Sequence, residues 1–198
     1  MGLVIRDLVV KDEINLAALS GKIIAIDSMN MLYQFITTIR GPNGTMLTDN
    51  NGNPTSHLIG LFNRTVTFLE HGIKPVFIFD GKAPDIKRKT WEKRSAIKAE
   101  ALLKLKEAEL AADQEDIKKF SPRTAILTKE MCAEAKILIA ALGCPVVQAP
   151  SEGEAQTAHL VKIGKAYASV SQDYDNLIFG CPRLVRNLST EGKRKKAG

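Results

Sequence analysis

Short apolar runs alternate along this chain with longer segments in which apolar residues recur at helical spacing. The short runs are rich in Ile, Val and Phe and end at Gly, Pro or acidic residues, which is typical of buried strands. The predicted strands cover residues 22–27, 75–80, 145–147, 166–170 and 184–188, and the predicted helices cover 29–40, 56–71, 129–142 and 155–163. Strands separated by helices favour an α/β fold with a central, mostly parallel sheet flanked by helices.

Acidic residues follow four of the predicted strands at the point where each strand ends. They are Asp27, Asp80, Glu152, Glu154, Asp173 and Asp175. In parallel sheets, ligands bind outside the carboxyl ends of the strands, and carboxylate oxygens are preferred ligands of hard divalent cations. The sequence therefore predicts one metal site built from all six acids.

Each acidic motif also has a structural interpretation when it is taken alone. Ser151 and Glu154 form a formal capping box, with Ser151 at the helix N-cap, and Asp173 and Asp175 are ordinary turn residues. The combination is harder to explain structurally, because clustered carboxylates repel one another unless cations neutralise them.

A long, polar helical segment interrupts the alternation between residues 85 and 119. Its first half is strongly basic, and Lys87 and Arg94 are seven residues apart with Trp91 between them, so the three share one helical face. The charge run alone favours a solvated helical face, whereas a cationic face that begins beside Asp80 favours a clamp for phosphate.

The charge balance indicates that the predicted metal site acts on a polyanion. The 198-residue chain has a net charge of +6 from 28 basic and 22 acidic residues, and six of those acids belong to the predicted cluster. A basic body around an acidic centre favours a nucleic acid approached through metal ions. Since no nucleophilic side chain stands in a supporting motif, metal-activated water is the expected nucleophile, which predicts a metal-dependent phosphodiesterase.

The remaining composition predicts an intracellular protein that does not enter a membrane. The three cysteines have no Cys-x-x-Cys spacing and are expected to be buried thiols in a reducing compartment, and neither a signal peptide nor a membrane span is expected.

Several motifs together resemble the structure-specific 5′ nuclease superfamily, and in particular the archaeal flap endonucleases. They are Ile26-Asp27, Tyr33-Gln34-Phe35, Thr55-Ser56-His57-Leu58, Phe79-Asp80-Gly81-Lys82, the stretch from Gln148 to Ala155, and Ser171-Gln172-Asp173-Tyr174-Asp175. The resemblance covers nearly the whole chain. It implies a PIN-like fold with a helical arch, and two Mg²⁺ ions per site, with Mn²⁺ as a plausible substitute.

The resemblance also implies roles for individual residues. The six acids match the metal-coordinating carboxylates, Lys87 and Arg94 match the catalytic basic pair at the base of the arch, and Tyr33 matches a residue that stacks on a base near the scissile phosphate. The positions expected to meet DNA are Gly2, Arg40, Thr55, Arg64 and Glu152.

The organisation implied by the resemblance is one incomplete nuclease domain. Its parts are an N-terminal segment (1–84), an arch (85–121) and an internal segment (122–198). Family members continue past Gly198 with a seventh aspartate, a helix-hairpin-helix grip and a sliding-clamp peptide, so this chain is expected to be a truncated, monomeric form with weak or no activity.

The expected activity is cleavage of 5′ DNA flaps, with 5′-3′ exonuclease action, in DNA replication and repair. Branched DNA is the expected partner, in the cytoplasm of an archaeon or the nucleus of a eukaryote. Two alternatives remain open: a related 5′ exonuclease or bubble-cutting nuclease, and a catalytically silent DNA-binding fragment. Magnesium-dependent cleavage distinguishes the silent fragment from the nucleases.

Overall fold

The computed structural model describes residues 8–82, 84 and 88–188, and for residues 88–94 it describes the helix only. The chain divides into two compact units. The first consists of residues 1–31, 62–81 and 138–198, and the second of residues 32–61 and 82–137. Gly2 and Lys87 lie outside the described residues.

The first unit is built on a five-stranded sheet in which every pair of neighbours is parallel. The strands are β1 (Ile23–Asp27), β2 (Lys74–Phe79), β3 (Val146–Gln148), β4 (Ala168–Val170) and β5 (Leu184–Val185), in the order β3-β2-β1-β4-β5. The parallel sheet confirms the predicted fold class. The chain moves outward from β1 to β2 and β3, then crosses to β4 and β5 on the other side of β1. The order of the strands therefore reverses between β1 and β4.

The helices connect these strands or form the second unit. They are α1 (Ser28–Thr38), α2 (Ser56–Glu70), α3 (Arg88–Leu110), α4 (Gln114–Phe120), α5 (Lys129–Ala141), α6 (Gly153–Lys162) and α7 (Asp175–Ile178). In the second unit α3 packs against α4 and the following short 3-10 turn. Ala101, Leu105 and Ala108 are buried at the spacing of one helical face, while Asp113 caps α4 through its side chain. The predicted arch segment is thus two helices broken at residues 111–113.

The core of the first unit lies between the sheet and α6. It includes Ala25, Ile78, Ala158, Val161 and Cys181, all less than a tenth exposed. Central strand β1 is buried over Ile24–Ile26, as expected for a strand covered on both faces. Cys144 and Cys181 are buried free thiols, as predicted, whereas Cys132 is only partly buried.

Two local predictions were wrong. Periodicity predicts that Leu58, Leu61, Phe62, Val66 and Leu69 of α2 face inward. Phe62 and Leu69 are instead 47% and 41% exposed, whereas Leu61 is buried as predicted, together with Thr65 and Phe68. Ser56, His57 and Thr65 are polar residues of α2 that are fully buried, so hydrophobic periodicity alone does not mark the buried face of this helix.

The second error concerns the start of α6. Its N-cap is Glu152 rather than Ser151, and the side chain at this N-cap position accepts no hydrogen bond from the N–H groups of the first turn. The carboxylate of Asp80 takes that role, because its Oδ1 accepts the Gly153 N–H at 2.7 Å. A helix N-terminus favours an anion at this position whichever strand supplies it.

No helix in the described part of the chain is both long and apolar enough to cross a membrane.

His57 in the second unit is expected to make folding sensitive to acid. Its side chain is fully buried, its Nε2 lies 3.0 Å from Glu134 Oε2, and burial lowers the pKa of His57 below its usual 6.5 in spite of Glu134. Below pH 6.5 the unfolded chain binds a proton that the folded chain does not, so this contribution to stability is present above pH 6.5 and is lost as the pH falls. Urea unfolding of a His57→Gln variant between pH 7.5 and 5.5 should show a shallower loss of stability than the parent chain.

His71→Gln is the matched control, because His71 is an exposed histidine just beyond α2. It should keep the parent's pH dependence. A His57→Gln variant with the parent's slope would show that His57 does not titrate on unfolding.

Candidate metal centre

The six acids lie where the sequence predicts, just at or beyond the carboxyl ends of four parallel strands. Asp27 is the last residue of β1, Asp80 follows β2, Glu152 and Glu154 follow β3, and Asp173 and Asp175 follow β4. Asp27 and Asp173 stand on either side of the point where the strand order reverses. This is the position at which open parallel sheets bind ligands.

Asp27 is the most perturbed of these carboxylates. It is only 4% exposed, and its pKa is raised to about 7 by burial and by the negative charges of Asp80 and Asp173. Its Oδ1 accepts a hydrogen bond from the Asn30 N–H at 3.1 Å, which opposes part of that rise. Burial and the two neighbouring carboxylates thus both disfavour the charged form of Asp27.

Asn30 joins the two carboxylates that flank the reversal point, and sequence reasoning missed it. Its side-chain Nδ2 donates to Asp173 Oδ2 at 3.1 Å, while its Oδ1 accepts the Gln172 N–H at 3.3 Å. The signal was available, because Asn30 lies in the first turn of α1, which begins at Ser28 directly after Asp27 at the same sheet edge.

Arg186 was also missed, and it holds the turn that carries Asp173 and Asp175. Its Nε donates to the Gln172 carbonyl at 2.8 Å, and its guanidinium lies 3.8 Å from the ring centroid of the buried Tyr174. A cation over an aromatic face and a charge-assisted hydrogen bond both favour one conformation of this turn. Nothing in the local pattern marks a residue so far along the chain.

The donor set fits a hard divalent cation in its chemistry, because Asp80 and Asp173 add negative charge near the buried carboxylate of Asp27 and carboxylate oxygens are preferred ligands of such ions. Among residues 8–82, 84 and 88–188, however, no three Asp, Glu, His or Cys side chains are grouped so as to hold one ion. Hydrogen bonds to Asn30 and Gly153 orient Asp173 and Asp80 in the structure. The assignment of all six acids as metal ligands stays a prediction.

The other predicted site residues belong partly to the second unit. Tyr33 on α1 is 39% exposed, with Lys98 Nζ 5.6 Å from its ring centroid. Arg94 lies in α3, and nothing is described of its side chain. Thr55 precedes α2 and is partly buried, with its N–H donating to the Leu47 carbonyl at 2.7 Å.

Two arginines predicted to meet DNA make contacts within the protein. The guanidinium of Arg40 donates to the Ile36 carbonyl at 2.7 Å, to Ser121 Oγ at 2.7 Å and to the Gly44 carbonyl at 3.1 Å. Arg64 donates to the Leu188 carbonyl, and burial lowers its pKa. Both side chains therefore have structural partners, and their contacts with DNA stay predictions.

The fold and this edge define an α/β protein whose parallel sheet carries six acidic residues at or beyond strand ends, next to its strand-order reversal. Sequence comparison places that class in a family. The profile of the XPG N-terminal domain matches residues 3–101, and the profile of the XPG I-region matches residues 143–198. The chain therefore belongs to the XPG family.

Among its relatives, Flap endonuclease 1 of Pyrococcus horikoshii is 51% identical over 198 residues, which is 100% of this chain and 58% of that protein. The solved structure of flap endonuclease-1 from Methanococcus jannaschii is similar with a TM-score of 0.73 and 44% identity, covering 97% of this chain and 61% of that one. The chain thus spans somewhat more than half the length of these relatives.

Two other nuclease structures share the fold. The catalytic core of Rad2 in complex with DNA substrate is 30% identical with a TM-score of 0.64, over 90% of this chain and 48% of that one. The Holliday junction-resolving enzyme GEN1, in complex with product DNA, Mg²⁺ and Mn²⁺ ions, is 25% identical with a TM-score of 0.52, over 88% of this chain and 31% of that one. These neighbours confirm the PIN-like nuclease fold that the resemblance implies.

Proposed function

We propose that this chain is the nuclease portion of a metal-dependent enzyme that cuts DNA at 5′ flaps. The observation that carries the proposal is the coupling of buried Asp27 with Asp80 and Asp173 at the ends of three adjacent strands. The 51% identity to a flap endonuclease supports the choice of substrate.

Magnesium, with manganese as a substitute, is the proposed cofactor. Two bound ions would supply a hydroxide nucleophile near neutral pH and stabilise the developing charge on the phosphate and the leaving oxygen. Asp27, Asp80 and Asp173 would hold the ions, together with Glu152, Glu154 and Asp175.

Residues outside the acidic edge would orient the nucleic acid. An exposed aromatic ring beside a cation, such as Tyr33 beside Lys98, is typical of surfaces that bind single-stranded nucleic acid, because bases stack on the ring while the cation meets phosphate. Lys87 and Arg94 would add positive charge where negative charge develops in the transition state. Branched DNA with a 5′ flap is the proposed partner.

A flap-cleavage assay with an Asp173→Ala variant tests this proposal. In a single-turnover reaction with Mg²⁺, run long enough to measure the weak activity expected of this chain, the parent chain should release the flap from a 5′-flap duplex in preference to cutting a blunt duplex or a bubble. Asp173→Ala should lower that rate by at least about a hundredfold and leave DNA affinity within about twofold, because Asp173 is proposed to bind metal and not DNA.

Glu107→Ala is the control, since it removes one negative charge from an exposed position of α3, a helix that carries none of the six acids. It should cleave as the parent does. DNA binding without Mg²⁺-dependent cleavage by the parent chain would overturn the nuclease proposal for this chain and favour a silent DNA-binding fragment. Equal losses of binding and rate in Asp173→Ala would argue against a catalytic role for that residue.

A further inference from the structure

Three polar side chains are completely buried beneath the acidic edge of the first unit. Thr157 on α6, Ser169 on β4 and Asn176 on α7 are each 0% exposed. Their surroundings are apolar, with Ala158, Val161, Ala168 and Val170 buried beside them in sequence. Burying a hydroxyl or an amide in such a core is unfavourable unless hydrogen bonds compensate it.

The three side chains form a connected hydrogen-bond chain with a defined direction. Asn176 Nδ2 donates to Thr157 Oγ1 at 2.7 Å and to Ser169 Oγ at 2.9 Å. Ser169 Oγ donates in turn to Thr157 Oγ1 at 3.0 Å, and Thr157 Oγ1 donates to the backbone carbonyl of Glu154 at 2.8 Å. Every donor in the chain is used, and the chain ends on the backbone of a proposed metal ligand.

The other end of the network, Asn176, also lies next to a proposed metal ligand. Asn176 directly follows Asp175, and its Nδ2 also lies 3.2 Å from the Glu154 carbonyl. The network therefore links the first turn of α6, which carries Glu154, to the first turn of α7, which carries Asp175. Ser169 anchors both turns to β4, which pairs with central strand β1.

The network is retained at a cost to the fold. Asn176 Oδ1 is buried without a hydrogen-bond partner among the residues that the structure describes, and an unsatisfied buried oxygen is unfavourable by about 1–3 kcal/mol. An apolar side chain of the same shape would avoid that penalty. The polar groups instead make directional contacts. Their hydrogen bonds fix the rotation and translation of α6 and α7, whereas apolar packing alone tolerates small shifts of a helix.

We propose that the buried network of Thr157, Ser169 and Asn176 sets the spacing of the Glu154 and Asp175 carboxylates for Mg²⁺, so that these three are positioning residues of the metal centre. This rests on the proposed function, since it takes Glu154 and Asp175 as Mg²⁺ ligands. Loss of groups that orient metal ligands typically lowers metal affinity by about 10–100-fold.

Thr→Val substitutions offer a matched pair for the test, because valine replaces the hydroxyl by a methyl group at almost constant volume. Thr157→Val breaks the network. Thr65→Val is the control, since Thr65 on α2 is also 0% exposed, and its hydroxyl has no hydrogen-bond partner within the described part of the chain. Thr157→Ser keeps the hydroxyl and should restore the network.

The readout is the Mg²⁺ dissociation constant of the apo chain, measured by titration calorimetry and checked by the rise in unfolding temperature with Mg²⁺. Thr157→Val should bind Mg²⁺ about tenfold more weakly than the parent, while Thr157→Ser and Thr65→Val should stay within about twofold of it. Circular dichroism verifies folding, and Ser169→Ala, which removes a different hydroxyl of the network, carries the test if Thr157→Val does not fold.

The outcomes separate this inference from the proposed function. If the parent chain shows no Mg²⁺ binding that Asp173→Ala abolishes, the metal-dependent function itself fails. If that binding exists and is unchanged in both Thr157→Val and Ser169→Ala, the positioning role is overturned while the function stands. An equal loss in Thr65→Val would also overturn it, because general weakening of the fold would then explain the effect.

Discussion

An Asp27→Asn chain is expected to be more stable than the parent at pH 8 and to lose at least a hundredfold in Mg²⁺ affinity. Asp27 is 4% exposed, and its pKa is raised from 3.8 to about 7 by burial, Asp80 and Asp173. Asparagine has the same shape and retains an oxygen that can accept the Asn30 N–H. The substitution therefore removes the buried charge and a proposed metal ligand together, with little change in packing.

The direction of the pH dependence follows from proton binding in the two states. Between pH 3.8 and about 7 the unfolded chain releases a proton that folded Asp27 retains, so the parent loses stability as the pH rises through this window. Fully expressed, such a shift corresponds to roughly 4 kcal/mol, so the gain in Asp27→Asn should approach that size at pH 8 and vanish near pH 4. Urea unfolding without metal measures it.

With Mg²⁺ present, the parent chain should become more stable than Asp27→Asn. Binding to the folded parent stabilises it by mass action, and the variant lacks the ligand that makes binding strong. Asp49→Asn is the control, because Asp49 lies in an exposed loop where Asn53 lowers its pKa, so its replacement should give no stabilisation. If the metal-free Asp27→Asn chain is less stable than the parent at pH 8, the ionised Asp27 carboxylate does not destabilise the fold as proposed.

The sequence was sufficient to predict where the acids lie but not how each one is held. Strands that are short, apolar and followed by acids predict both the parallel sheet and its acidic edge, since strand ends in a parallel sheet meet at one side. Asp27, Asp80 and Asp173 are therefore found as expected. The strand order also places the reversal between β1 and β4, which periodicity cannot show.

What could not be predicted depends on contacts between residues far apart in the chain. Asn30 meets Asp173 across 143 positions, and Gly153 meets Asp80 across 73. The capping box at Ser151 is a local rule, and it failed because the carboxylate of Asp80, the residue after β2, accepts the Gly153 N–H at the start of α6. Arg40 illustrates the converse, since a basic residue expected at a DNA surface makes three hydrogen bonds within its own unit.

A Gly81→Ala substitution is expected to destabilise the fold by roughly 3 kcal/mol or more, which is at the upper end for overpacking. A Cβ at Gly81 would lie 2.7 Å from the carbonyl carbon of Pro150 and would meet the Ala149 carbonyl oxygen still more closely. Both contacts are with backbone. That backbone cannot move freely, because the Ala149 N–H donates to Phe79 at 2.8 Å and the Gly81 N–H donates to Ser151 at 2.6 Å.

Gly153→Ala is the matched substitution with a different expected outcome. A Cβ there would lie 2.7 Å from Asp80 Oδ1, which is the end of a side chain that can rotate away. Because alanine also favours a helix more than glycine does, the free energy of unfolding should change by less than about 1 kcal/mol. The displaced carboxylate should nevertheless weaken Mg²⁺ binding, so this variant separates metal affinity from stability.

Urea unfolding and Mg²⁺ titration of both variants test these two expectations. If the Gly81→Ala chain is as stable as the parent, the turn after β2 is not held tightly between Ala149 and Ser151. If a folded Gly153→Ala chain keeps the parent's Mg²⁺ affinity, Asp80 does not need its present orientation to bind the ion.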